Sequence, residues 1–318
     1  MKVSLVITNW NGADILKKNL PKVIAAVGEA EVIIVDDAST DNSADVVLNL
    51  AEKNANLRLV KKEKNEGFSS TTNAGVEAAS GEIVVLLNSD VVPHKDFLKN
   101  LLPHFSDPEV FAVGTKDLSH ERNGNTVARG RGVGAFKRGY VMHRPGKIIS
   151  GFTLWANGGS CAVNKSIWRN LGGLNTIYDP AYGEDWDLGY RAWKAGYKIL
   201  FEPKSIVDHF HEEGSMKKRY STFYRRAIAF RNQNLFMIVN ISDRMFLAEY
   251  LLFLPYHLGY KALRRLDFSF WYGFFLFLLK SPRALFFRIQ NRKIFVKTDR
   301  EILSLFSPEF LMQNEEIY

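Results

Sequence analysis

The sequence predicts an α/β protein built on a mostly parallel sheet, and three observations lead there. Four short apolar runs rich in β-branched residues fall before residue 90: VSLVIT, EVIIV, LRLV and EIVVLL. Helix-length segments separate them, as parallel strands buried on both faces require. Polar clusters follow each run: Asn9-Trp10-Asn11, Asp36-Asp37, Asn65-Glu66-Gly67 and Asn88-Ser89-Asp90. Ligands of open parallel sheets bind outside the carboxyl ends of the strands. The clusters are therefore expected on one rim, forming one site.

The elements follow in order. Helices are expected over Ala13 to Val27, from Asp41 or Asn42 behind a Ser39 or Thr40 cap, and over Ser69 to Ala79. A further helix is expected over about Lys95 to Phe105, followed by VFAVG as a fifth strand. From Thr115 to Ser150 the chain is rich in Gly and Arg with little periodicity, which predicts loops or a β-ribbon. The pattern resumes with GGSCAV, a short helix at Lys165 to Leu171, a Gly172-Gly173 turn, the helix-like GEDWDLGYRAWKAGY and the strand-like KILFEP. A break near residue 240 divides the chain into an α/β domain (1–240) and a basic, aromatic, helical segment (241–318).

At 318 residues, apolar content is ample for a core. The single cysteine, Cys161, rules out an intramolecular disulfide and suits a reducing compartment. The apolar run before Thr8 is too short for a secretory signal, so a cytoplasmic location is expected. The net charge of +8 is concentrated: residues 217–300 carry 17 Lys or Arg against 4 Asp or Glu. That stretch also holds MFLAEYLLFLPYHLGY and FSFWYGFFLFLL, punctuated by Lys261, Arg264, Arg265, Lys280, Arg283 and Arg288. Runs of about a dozen apolar residues are short of the ~20 that span a bilayer. Apolar faces flanked by basic residues suit a helix lying on an anionic membrane surface. The alternative is a subdomain packed on the body or in a homodimer. No nucleic-acid motif accompanies the charge, and none is expected as partner.

Four elements carry candidate chemistry. Asp36-Asp37 at a strand tip suits hydroxyl or imide donors of a ligand, although Ser39, Thr40 and Asp41 also read as a helix cap. Asp90, after Asn88-Ser89, suits a hard cation shared with substrate phosphates. Glu184, Asp185 and Asp187 crowd the first turn of a helix, where the macrodipole alone accounts for one or two of them. A carboxylate there, its pKa lifted by neighbouring acids, also suits a general base. His209 and His211, beside Glu212 and Glu213, are candidate metal ligands as neutral imidazoles after a strand.

The chain resembles the inverting family-two nucleotide-sugar glycosyltransferases of GT-A fold, over about Lys2 to Asn240. The resemblance rests on VSLVITNWNG, VIIVDDASTDNS, NEGFSSTTNAGVEAASGEIVVLLNSD, NGGSCAVNKSIWRNLGGLN, GEDWDLGYRAWKAGY and SIVDHFHEEGS, in that order. Asn88 stands where many relatives have the first Asp of D-x-D; N-x-D variants resemble the rhamnosyltransferase-like branch, which implies that Asp90 carries the ligation. The resemblance implies that Asp37, with Asp36, Thr8 and Asn11, holds the nucleoside of a UDP- or dTDP-sugar. Asn65, Gly67, Asn88 and Ser89 complete that donor site. Asp90 with His209, or alternatively His211, would bind a divalent cation, Mg or Mn, across the diphosphate. Asp185 is implied as the base that deprotonates an acceptor hydroxyl, with Glu184 beside it; the residues themselves do not separate the two. The implied acceptor is a glycan or lipid-linked glycan of cell-surface polysaccharide synthesis, at the cytoplasmic face of the membrane.

Rival classes are weaker. A dinucleotide-dependent oxidoreductase needs G-x-G-x-x-G after the first strand, and TNWNGADILKKN has only Gly12. A glycoside hydrolase also pairs carboxylates, but does not call for a nucleotide-type sheet rim. A non-catalytic glycan-binding or scaffold relative would be told apart by donor turnover with and without Asp90→Ala.

Overall fold

The computed structural model describes residues 1–121, 123–210, 220–261 and 267–312. His211, Arg264 and Arg265 lie outside them. The chain forms two compact units, neither continuous in sequence: Met1–Arg131, Lys147–Leu174 and Lys198–Glu212 make the first, and Gly132–Gly146, Asn175–Tyr197 and Glu213–Tyr318 the second.

The first unit opens with β1 (Val3–Asn9), α1 (Ala13–Val27), β2 (Glu31–Asp36), α2 (Ser43–Ala51), β3 (Leu57–Lys61), α3 (Phe68–Ala78) and β4 (Ile83–Asn88). β1 pairs in parallel with both β2 and β4, and β2 with β3. Val32, Ile33, Ile34 and Val35 are all fully buried, so β2 is covered on both faces, which is why it reads as a continuous apolar run. Gly75 lets α3 lie close to the sheet: a Cβ there would sit 2.3 Å from Val6 Cγ1 and 2.8 Å from Val35 Cγ2.

Beyond β4 come β5 (Val91–Pro93), α4 (Phe97–Leu101) and β6 (Val110–His120). The helix expected over Lys95 to Phe105 is thus shorter. It passes into a 3₁₀ turn at Leu102–Ser106, where Pro103 supplies no backbone N–H. β7 (Thr126–Arg129) pairs with β6, and β8 (Gly132–Lys137) with β9 (Tyr140–Pro145), so the Gly- and Arg-rich stretch is partly β-ribbon. β10 (Gly151–Phe152), β11 (Ser160–Asn164), α5 (Lys165–Leu171), α6 (Glu184–Lys194) and β12 (Lys198–Phe210) follow. Among the described residues the main sheet has the order β10-β12-β6-β11-β4-β1-β2-β3, with β5 on β12 and β7 on β6. β11 is antiparallel to β4 and β6, while β12 is parallel to β6.

Two strands run further than their apolar segments. β6 continues past VFAVG through Thr115, Asp117 and Ser119, alternate residues that are all buried. β12 continues past KILFEP to Phe210, with a register shift between Glu202 and Ile206. His209 therefore lies within a strand, not after one.

The second unit contains the β8–β9 hairpin, α6, and helices Thr222–Asn240, Arg244–Pro255, Ser269–Arg292, Asp299–Ser304 and Ser307–Met312. Ile177, Tyr178, Leu235, Val239, Phe277 and Ala284 form one buried cluster. The expected division near residue 240 falls inside this unit. Helix Ser269–Arg292 lies against Thr222–Asn240, and a Cβ on Gly273 would come within 2.3 Å of the Ala227 carbonyl oxygen. No described helix is long and apolar enough to cross a membrane. Lys280 and Arg288, expected to flank an outward apolar face, point inward. Lys280 Nζ donates to the Ile177 carbonyl (2.7 Å), and Arg288 Nη1 to those of Ile238 and Ile241 (2.6 Å each).

Candidate active site

In the first unit, the loops after β1, β2 and β3 are tied together by the acidic pair. Asp36 Oδ1 accepts from Asn9 Nδ2 (3.0 Å) and the Ser39 hydroxyl (2.5 Å), and Oδ2 accepts the Ser39 N–H (3.0 Å). Asp37 Oδ1 accepts the Glu66 N–H (3.0 Å) and pairs with Lys62 Nζ (2.9 Å), while Oδ2 accepts the Gly67 N–H (2.8 Å). Both aspartates are buried. Their carboxylates hold the protein's own loops, a structural use that the sequence reading did not foresee for a strand-tip pair. Asn65 Nδ2 donates to the Asp37 carbonyl (3.3 Å), and Gly67 takes a φ of 86° that favours glycine.

Asn11 locks the β1 loop to the β2 loop. Its N–H donates to Ser39 Oγ (2.8 Å) and its Oδ1 accepts the Thr40 N–H (2.8 Å). Thr8 sits in register between Val35 and Asn88. The Asn88 N–H donates to the Gly159 carbonyl (2.9 Å), and a Cβ on Gly159 would meet Asn88 Nδ2 at 2.5 Å. The Ser89 carbonyl accepts from Asn19 Nδ2 of α1 (3.1 Å).

Asp90 is brought to His209 by the β5–β12 pairing, in which the Phe210 N–H donates to the Asp90 carbonyl (3.0 Å). His209 Nε2 lies 3.4 Å from Asp90 Oδ1 and Nδ1 lies 2.7 Å from Asp117 Oδ2. Asp117 in turn accepts the Ser119 hydroxyl (2.8 Å). Burial lowers the basicity of His209, but the Asp117 and Asp90 carboxylates outweigh it and raise its pKa to about 9. Asp117 was missed by sequence reasoning. The signal was the alternation of Thr115, Asp117 and Ser119 beyond VFAVG, which extends a strand with polar residues on its buried face.

The donor set suits a hard divalent cation. One carboxylate and one imidazole, the latter backed by a second carboxylate, are a common arrangement around a metal. Among the described residues no group of three or more His, Cys, Asp or Glu is placed to hold an ion. Further ligands would come from phosphate oxygens and water, as is usual for magnesium.

In the second unit, Glu184 and Asp185 open α6 behind Gly183, whose φ is 113°. Glu184 is buried with Oε2 unpartnered, and its pKa is raised to about 8 by burial first, then by the Asp185 charge. Asp185 is half-buried. Asp187 is fully buried and structural: it accepts from Tyr178 Oη (2.8 Å), Arg191 Nε (2.8 Å) and Asn240 Nδ2 (2.7 Å). The loop leading to Glu184 is held through its carbonyls. Asn232 Nδ2 donates to those of Tyr178, Ala181 and Tyr182, and Arg231 Nη2 to those of Tyr178 and Asp179.

The profile of the glycosyltransferase-like family 2 matches residues 1–228. The chain belongs to glycosyltransferase family 2. Its similar relatives include the pre-mycofactocin glycosyltransferase of Mycobacterium tuberculosis, 28% identical over 66% of this chain and 43% of that protein. The poly-β-1,6-N-acetyl-D-glucosamine synthase of Staphylococcus aureus is 24% identical over 64% of this chain and 48% of its own. The family-2 chain thus spans less than half the length of these two curated relatives. Among solved structures, GalNAc-T7 with UDP, GalNAc and Mn²⁺ superposes with a TM-score of 0.63 at 18% identity, covering 88% of this chain and 57% of that one. S. aureus TarS 1-349 with UDP-GlcNAc gives 0.57 at 16% identity, over 80% and 73%. At these identities the likeness is one of fold, and the fold is GT-A.

Proposed function

We propose that this family-2 member transfers a hexosyl group from a UDP- or dTDP-sugar to a hydroxyl of a glycan or lipid-linked glycan, with inversion. The Asp90–His209–Asp117 cluster at the carboxyl rim of the parallel strands is the observation that carries the proposal. A carboxylate and an imidazole at the end of the sheet where ligands of such folds bind would suit a cation shared with a nucleotide diphosphate, which supports the reading. Two solved structures of similar fold, GalNAc-T7 with UDP, GalNAc and Mn²⁺ and the Pyrobaculum calidifontis mannosyltransferase with GDP-Man and Mn²⁺, support a divalent cation, Mg or Mn. When bound, the cation would offset charge on the departing diphosphate.

The chain's own residues do the rest. The braced loops of Thr8, Asn11, Asp36, Asp37, Asn65 and Gly67, with Asn88 and Ser89, shape the nucleoside and donor site. Asp185 accepts the proton of the acceptor hydroxyl. The acceptor oxygen so deprotonated bonds to the anomeric carbon from the face opposite the diphosphate, and the C–O bond to the diphosphate breaks with its electron pair leaving on phosphate oxygen. Glu184, with a pKa near 8, keeps its proton at neutral pH. The base role is given to Asp185 by its place in the family's acidic motif. The work is assigned to the cytoplasmic face of a membrane, with residues 241–318 contributing to attachment and the acceptor drawn from polysaccharide synthesis.

The test is thermal stability with UDP, dTDP or GDP, each with and without Mn²⁺ or Mg²⁺. A nucleotide at a hundred times its Kd should add about 2.7 kcal/mol. A metal-dependent shift with one nucleotide supports the proposal and selects the donor. No shift with any of them, in folded protein, overturns it in favour of a non-catalytic relative.

A further inference from the structure

Helix Ser269–Arg292 is built inside out for a protein in water. One face carries Trp271, Phe275, Leu278, Pro282, Leu285 and Ile289, spaced four and three apart, and all six are exposed. Phe275 is 54% and Ile289 65% exposed. The other face carries Gly273, Phe277, Lys280, Ala284, Arg288 and Asn291 and meets the protein. Lys280 and Arg288 spend their donors there on backbone carbonyls. A surface helix of a globular protein normally shows the reverse pattern, with charges outward. An outward apolar stripe along 24 residues, about 36 Å at 1.5 Å per residue, needs a covering medium.

We infer that this stripe is the surface by which the protein lies on an anionic lipid bilayer, with Trp271 and Phe275 inserted at headgroup level. The inference deepens the membrane attachment in the proposed function and rests on that reading for nothing else. Charge selects lipid over a second copy of the chain. A two-fold pairing through the stripe would bring the exposed cations beside it against their own copies, whereas an anionic leaflet complements them. Arg283 and Arg292, exposed on the same helix, and the exposed Lys293 just beyond its end supply cations near the stripe. Aromatic side chains at the level of the headgroups are the usual anchors of such a helix.

The test uses the full chain and vesicles of phosphatidylcholine with or without phosphatidylglycerol. Flotation should carry the protein with the anionic vesicles and much less with the neutral ones. F275E/L278E should lower the partition coefficient by about tenfold or more. Brominated lipid should quench tryptophan fluorescence in the wild type and distinctly less in Trp271→Phe. Equal flotation of wild type and F275E/L278E, or equal binding to neutral vesicles, overturns the inference. So does a wild type that sediments as a dimer, becoming monomeric in F275E/L278E with vesicle binding unchanged. The nucleotide-induced thermal shift, measured on the same F275E/L278E protein, reports donor binding separately. Loss of vesicle binding with that shift intact supports the surface, whatever becomes of the transfer reaction.

Discussion

Asp117 matters through the imidazole it orients. Its carboxylate takes Nδ1 of His209 at 2.7 Å, which directs Nε2 toward Asp90. Removing such a partner typically costs a metal site about 10–100-fold in affinity. Asp117→Asn should therefore weaken Mn²⁺ by that factor in calorimetric titration with nucleotide present, while Asp90→Ala removes binding. Equal affinity in Asp117→Asn and wild type would leave Asp117 a purely structural residue. The acidic pair of α6 gives a second residue-scale prediction. Asp185→Asn should abolish transfer while leaving the nucleotide-induced thermal shift intact. Glu184 binds its proton more tightly folded than unfolded, with a pKa of about 8 against an ordinary value of 4.5. The native state therefore loses stability as pH rises from about 4.5 to about 8, then levels off. Glu184→Gln should flatten that slope, raising Tm at pH 8 and leaving it nearly unchanged at pH 4.5.

At the scale of elements, legibility followed how much of each signal was local. β1, β2 and β4 were readable because both faces of their strands are buried, and β3, a half-buried edge strand, because of its apolar alternation with them; the polar tips mark the rim. The ends of β6 and β12 were not, because Asp117, Ser119 and His209 are polar residues kept in strands by pairing between β6 and β12, a contact distant in sequence. The inside-out helix was half legible. Its apolar runs stood out, but which face Lys280 and Arg288 occupy depends on the Ile177, Ile238 and Ile241 carbonyls they meet. The loop before Glu184 is held through other carbonyls, those of Tyr178, Ala181 and Tyr182, to which Asn232 donates from a buried position. Asn232→Ala would strand these acceptors and should cost about 1–3 kcal/mol in urea unfolding. If the loop also positions Asp185, kcat should fall more than KM rises. A change confined to stability would limit Asn232 to a structural role.

At the scale of the whole molecule, the second unit draws on three separated stretches of chain, so residues 241–318 are not an appendage that can be removed cleanly. Asp299 makes the point. It is fully buried, its Oδ1 accepting from Tyr190 Oη (2.9 Å) and Lys194 Nζ (3.0 Å), and its Oδ2 from the Ser242 and Asp243 N–H groups (2.7 Å each). Lys194 and Tyr190 belong to α6, the helix that begins with Glu184 and Asp185. Ending the chain at Asn240 would delete Asp299 and leave a buried lysine without its counter-charge, together with the loss of Phe277 and Ala284 from the core. Breaking a buried pair from one side costs about 3–5 kcal/mol. In the full chain Asp299→Ala should lower stability by that amount, and Asp299→Asn by less because it keeps an acceptor for Tyr190. The protein ending at Asn240 should show α6 open to protease and fail to transfer sugar even to a soluble acceptor. A truncated protein that keeps α6 protected and turns over a soluble acceptor would show that the last 78 residues serve attachment alone.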